Sequence, residues 1–92
     1  MNQRKSLLKQ VMHGSELSMA PFPQLPLVEI MGSKRVLIEN HCGVSGYGTT
    51  EICVRVKTGS IIILGQRLML TQMSKEQIII TGCIDGIRLI ER

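Results

Sequence analysis

The chain has 92 residues and a net charge of +4, from 11 Lys and Arg against 7 Asp and Glu. This length fits one domain with a tail, and a domain this small buries only about 60% of its unfolded surface. The basic excess is mild and mostly dispersed, which is only weak support for a polyanionic partner. With one Phe, one Tyr and no Trp, the core must be aliphatic.

The sequence predicts a cytoplasmic protein. The N-terminus lacks the apolar stretch of a secretory signal, and no apolar run approaches the roughly 20 residues of a spanning helix. Cys42, Cys53 and Cys83 are odd in number and widely spaced, so no disulfide framework is predicted. Free cysteines fit a reducing compartment.

Residues 1–26 are predicted to form a basic segment separate from the β-domain of residues 27–92. Residues 6–12 favour one or two helical turns, or else a disordered tail. Three prolines, Pro21, Pro23 and Pro26, favour an extended linker. Weak docking of this segment on an anionic membrane surface is a further hypothesis.

Residues 27–92 show a repeating pattern of short apolar runs and glycines. Gly32, Gly48, Gly65 and Gly82 follow one another at spacings of 16, 17 and 17 residues. A strand, a glycine bend and a second strand, repeated about four times, is typical of a β-architecture. The pattern predicts an all-β fold, a small antiparallel roll or sandwich of about eight short strands, while a short β-solenoid remains open.

Two isoleucine-rich runs, residues 61–64 and 78–80, are apolar at consecutive positions. Side chains in a strand alternate between faces, so both faces of these strands must be covered. We expect self-association into a homo-oligomer to supply some of this cover. The alternative is that the runs lie centrally in a folded-over sheet and need no partner.

No catalytic, cofactor or metal site is predicted. His41, Cys42 and Cys83 lack the paired spacing of zinc ligands, and Cys53 fits a small hydrophobic residue of a strand. No phosphate-binding loop is present. We therefore expect a protein that is not an enzyme, without a cofactor or a small-molecule substrate.

A small nucleic-acid-binding β-domain is the main functional alternative. Its basic groove would use five side chains, Arg35, Arg55, Lys57, Arg67 and Arg88. Binding of single strands also needs aromatic side chains on which the bases stack, and Tyr47 is the only Phe, Tyr or Trp in the strand region. The sequence therefore does not favour nucleic acid as a partner.

Five segments form a distinctive series of motifs: Leu-Pro-Leu-Val at 25–28, Val-Leu-Ile-Glu-Asn-His-Cys-Gly at 36–43, and the runs 52–59, 63–70 and 73–84. Together they resemble the YabP/YqfC family of sporulation proteins, and the YqfC branch most closely. The resemblance implies a small mother-cell protein of endospore-forming bacteria that acts with other sporulation proteins in spore maturation or coat formation. It implies an assembly or accessory factor, and it transfers no catalytic residue.

The turn at residues 40–43 is the predicted interaction surface, with Asn40 and His41 as its recognition residues. Binding residues commonly lie on loops held by a rigid scaffold. In this hypothesis the β-domain self-associates and presents the turn to a partner. The alternative is that Asn40 only supplies the turn geometry, because asparagine tolerates positive φ.

Overall fold

The computed structural model describes residues 25–92, which form six β-strands and no helix. They are β1 (Leu27–Met31), β2 (Arg35–Glu39), β3 (His41–Tyr47), β4 (Glu51–Val56), β5 (Gly59–Met73) and β6 (Gln77–Glu91). All neighbours are antiparallel in one sheet of order β1-β2-β6-β5-β4-β3. The prediction of an all-β antiparallel fold is confirmed, while the predicted helical or disordered segment lies outside the described residues.

The sheet is organised around the long hairpin of β5 and β6, each of 15 residues. β4 pairs with the first part of β5, and β2 pairs with the first part of β6. Because these strands run in opposite directions, β2 and β4 attach to opposite ends of the hairpin. Half A contains β1, β2 and residues 66–73 and 77–82, and half B contains β3, β4 and residues 59–65 and 83–91.

The two halves enclose one aliphatic core, so the sheet is rolled. Core side chains of both halves form a single buried cluster: Val36, Ile38, Leu68, Ile78 and Ile80 from half A, and Ile52, Val54, Val56, Ile61 and Ile63 from half B. No polar or charged residue between 25 and 92 is buried. Burial of aliphatic surface is thus the main favourable contribution to this fold.

The bend between the halves depends on two of the evenly spaced glycines. A Cβ at Gly65 would overlap the carbonyl oxygen of Cys83, and one at Gly82 would lie 2.6 Å from the carbonyl oxygen of Arg67. Gly82 also has a φ of 140°. These glycines let the backbones of β5 and β6 approach each other closely at the bend, and both strands continue through it. The structure therefore has six strands, since two predicted pairs of short strands are continuous.

The two isoleucine-rich runs lie on the central strands of the sheet. Ile61, Ile63, Ile78 and Ile80 face the core, and Ile79, on the opposite face, is only 8% exposed. The folded-over sheet of a single chain therefore covers the four core-facing isoleucines, while Ile62 and Leu64 on the outer face are half-buried. Self-association is not needed to explain the burial of those four, and the homo-oligomer stays a prediction.

Candidate interaction site at the β2–β3 turn

Asn40 connects β2 to β3 with a left-handed backbone, at a φ of 63°. Asparagine is among the few residues other than glycine that adopt this conformation readily. Its backbone N–H donates to the carbonyl oxygen of Glu76 at 2.9 Å, and its Nδ2 donates to that of Leu25 at 2.9 Å. Asn40 thus joins this turn to the β5–β6 connection and to the residues before β1.

His41, the first residue of β3, bonds through both ring nitrogens. Nε2 lies 2.8 Å from the carbonyl oxygen of Ser74 and donates to it, while Nδ1 accepts from the N–H of Gly43 at 2.9 Å. With these partners Nε2 is the donor and Nδ1 the acceptor of the ring. In this arrangement neither nitrogen is open to act as a base or as a metal ligand.

The β5–β6 connection is held by Ser74. Its Oγ accepts from the N–H groups of Glu76 at 3.3 Å and Gln77 at 3.1 Å. Gln77 Nε2 donates to Glu39 Oε2 at 3.3 Å, which links this connection to the end of β2. We call Glu39, Asn40, His41, Ser74 and Gln77 the turn network.

The structure places both predicted recognition residues in the turn network. The φ of Asn40 agrees with the interpretation that it supplies the turn geometry. His41 begins a strand rather than lying within the turn, and the residue is half-buried. Recognition of a partner by Asn40 and His41 stays a prediction.

The cysteines lie apart from the turn network or at its border. Cys42, Cys53 and Cys83 are free thiols. Cys83 Sγ accepts a hydrogen bond from Arg67 Nη2 at 3.3 Å, beside the bend. Within residues 25–92, no group of three or more His, Cys, Asp and Glu side chains is placed to hold a metal ion.

The structure divides the predicted basic groove among different surfaces. Arg55 lies on the outer face of half B, because its neighbours in β4, Val54 and Val56, face the core. Arg88 lies on the same face, because its neighbours Ile87 and Leu89 pair with the core residues Ile63 and Ile61. Arg35 lies on the outer face of half A by the same alternation, and Arg67 lies at the bend. The five residues therefore do not line one groove.

Sequence reasoning missed two concave features of the surface. Arg92 donates from Nη2 to the carbonyl oxygen of Lys57 at 3.3 Å and lines, with Arg55, a pocket of about 370 Å³. A second groove, of about 230 Å³, is lined mainly by apolar residues that include Leu25 and Leu89. Neither has a local sequence signal, because strand order decides which edges meet.

The part of the chain that the structure describes contains no helix able to cross a membrane. No solved structure matches the chain at a significant level.

Two comparisons with known proteins agree with the sequence resemblance. The chain is 29% identical to the uncharacterized protein YqfC of Bacillus subtilis strain 168 over 92 residues, which cover 99% of each chain. The model of the YabP family matches residues 25–92, the whole region of the rolled sheet. The chain therefore belongs to the YabP family.

Proposed function

We propose that the protein acts without catalysis in spore maturation or coat assembly, as a β-scaffold or accessory factor in the mother cell. Membership of the YabP family over residues 25–92 supports this role, since the sequence resemblance associates that family with sporulation. In this proposal the protein associates with itself and with other sporulation proteins.

The use of polar atoms in the turn network is the observation that favours a scaffold over an enzyme. Both ring nitrogens of His41 and the side-chain amide of Asn40 bind backbone groups of the same chain. Side chains fixed in this way stabilise connections between strands. A general base would instead need a nitrogen within reach of a substrate proton.

Deletion of the gene in its source organism tests the proposed function. We expect a large drop in heat-resistant spores with normal vegetative growth, and a plasmid copy of the gene should restore the count. An unchanged spore count would contradict the proposal. A growth defect in the absence of sporulation would also contradict it.

Binding of nucleic acid is the second candidate function. The pocket lined by Arg55 and Arg92, next to Lys57, favours it because guanidinium groups bind phosphate oxygens well. Tyr47 is the only aromatic residue between 25 and 92, and its hydroxyl lies 3.4 Å from the N–H of Leu70 in half A. Salt-dependent binding of an oligonucleotide would support this candidate over the scaffold.

A further inference from the structure

The rolled sheet is open between β1 and the last part of β6. β1 pairs with β2, and β2 pairs with β6 only through residues 77–81 of β6. The N–H of Ile84 still donates to the carbonyl oxygen of Ser33, at 2.7 Å. Beyond it, residues 85–91 have β5 on one side and no described strand on the other. We call the space between β1 and residues 85–91 the seam.

Backbone groups of β6 face the seam. The N–H of Arg92 donates to the carbonyl oxygen of Thr58 at 2.9 Å, and the register between residues 59–64 and 86–91 is continuous. In an antiparallel pair, alternate residues direct their backbone groups to the partner strand. Arg88 and Ile90 therefore bond to β5, while the N–H and C=O groups of Ile87 and Leu89 point toward the seam.

The core-facing side of the seam is apolar and uncovered. Leu89, opposite Ile61 of β5, is 69% exposed although its neighbour across the pair is buried. Ile30 of β1, opposite the buried Val36, is 53% exposed. Both lie on edges of the sheet, and the groove of about 230 Å³ runs beside Leu89. A further strand in the seam would cover this apolar surface.

On the β6 side of the seam, the outer face carries two arginines with the exposed Ile90 between them, while Glu29 lies on the outer face of β1. Arg88 and Arg92 alternate with Leu89 and Glu91 and lie on the outer face, where both are exposed. Arg55 shares this face, since it pairs with Ser60, which in turn pairs with Ile90. Glu91 lies on the groove side. A segment added beside β6 would therefore meet positive charge on one face and apolar side chains on the other.

We propose that the seam binds an extended segment of a partner protein in which aliphatic and acidic side chains alternate. The segment pairs with the backbone of Ile87 and Leu89 as an added strand. Its aliphatic side chains enter the groove, and its carboxylates lie beside Arg88 and Arg92. This inference rests on the proposed function in one respect: the partner is taken to be another sporulation protein.

Charge and composition favour such a partner over three other occupants. Residues 1–24 of the chain itself carry Arg4, Lys5 and Lys9 against Glu16, and would bring more positive charge to the seam. A second copy pairing through β1 offers one acidic residue, Glu29. A nucleic acid has no aliphatic side chains to fill the groove.

Amide hydrogen exchange of the full chain tests whether the seam is open. We expect fast exchange at Ile87 and Leu89 and slow exchange at Arg88 and Ile90, which bond to β5. If exchange at Ile87 and Leu89 is instead slow in the full chain and becomes fast when residues 1–24 are removed, the N-terminal segment fills the seam and the proposal fails. Slow exchange that depends on protein concentration would assign the seam to a second copy and would also overturn it.

A short synthetic peptide of alternating Glu and Val tests the partner chemistry, with a Lys–Val peptide as its matched control. We expect the Glu–Val peptide to bind and to slow exchange at Ile87 and Leu89. Arg88→Glu should weaken its affinity roughly fivefold or more, whereas Arg35→Glu, an exposed strand arginine of half A, should not. Circular dichroism verifies that both variants are folded.

Three results would overturn the proposal. They are equal binding of the two peptides, no protection at Ile87 and Leu89, and equal losses of affinity in Arg88→Glu and Arg35→Glu. Protection of the same amides by an oligonucleotide instead of the peptide would assign the seam to nucleic acid. Because no spore is counted, a failure here is distinct from a failure of the proposed function.

Discussion

The turn network and the seam are two borders of the same rolled sheet. Polar groups of the turn network are hydrogen-bonded within the chain, whereas within residues 25–92 the seam has an unpaired strand edge and exposed apolar side chains. At the turn network, Asn40 and His41 bind backbone carbonyls of distant connections. At the seam, Leu89 is exposed, and the backbone around it pairs with no described strand on the side away from β5. Polar side chains therefore hold the chain together at the turn network, whereas apolar surface stays exposed at the seam, where we propose that a partner binds.

The largest expected effect comes from removing the bend on which both borders depend. Gly65→Ala places a Cβ against the carbonyl oxygen of Cys83, so the backbone of β5 or β6 must shift. We expect a loss of about 3 kcal/mol or more in the free energy of unfolding, measured with urea. Gly86→Ala is the matched control, because a Cβ there meets nothing within 4 Å. Similar losses in both variants would contradict the role of the bend.

Asn40→Ala should give the next largest effect, because it loses a hydrogen bond and places alanine at a φ of 63°. We expect a loss of about 1–3 kcal/mol in the free energy of unfolding. Asn40→Gly keeps the backbone conformation accessible and removes only the side-chain bond, so it should lose less. If the glycine variant is as unstable as the alanine variant, the left-handed backbone is not the main contribution.

His41→Ala should cost about 1–2 kcal/mol, since the ring joins β3 to the carbonyl of Ser74 and to the N–H of Gly43. Thermal unfolding measures the loss, and spore counts in the complemented deletion strain measure function. We expect stability and spore yield to fall together. Normal stability with a low spore yield would instead assign His41 to partner recognition.

The smallest expected effect is at the seam. Leu89→Ala should change the free energy of unfolding by less than about 0.5 kcal/mol, because Leu89 is 69% exposed. Leu68→Ala, at a core position that is 3% exposed, should cost about 2–5 kcal/mol in the same urea titration. A large loss from Leu89→Ala would mean that the seam is already filled in the free protein.

The sequence predicted the features that depend on local chemistry. Spaced glycines indicated bends in an all-β fold, and Asn40 indicated a positive φ at the β2–β3 connection. Local chemistry could not show that Gly65 and Gly82 lie inside continuous strands, because glycine is favoured both at the end of a strand and where two strand backbones approach closely.

Features that depend on long-range pairing were not predictable. The bond from His41 to Ser74 joins residues 33 positions apart, and it exists because β2 and β5 both border β6. The seam follows from the same strand order. A sequence pattern shows which residues are apolar, but not which strand edge is left without a neighbour.

The position of β6 in the sheet has a consequence for synthesis on the ribosome. β6 lies between β2 and β5, yet it follows both of them in the chain. A nascent chain that ends before residue 77 has no central strand to join its two halves, so its isoleucine-rich β5 stays open on one edge. Folding of this domain must therefore wait until β6 leaves the exit tunnel, and chaperones have that interval in which to protect the unfinished sheet.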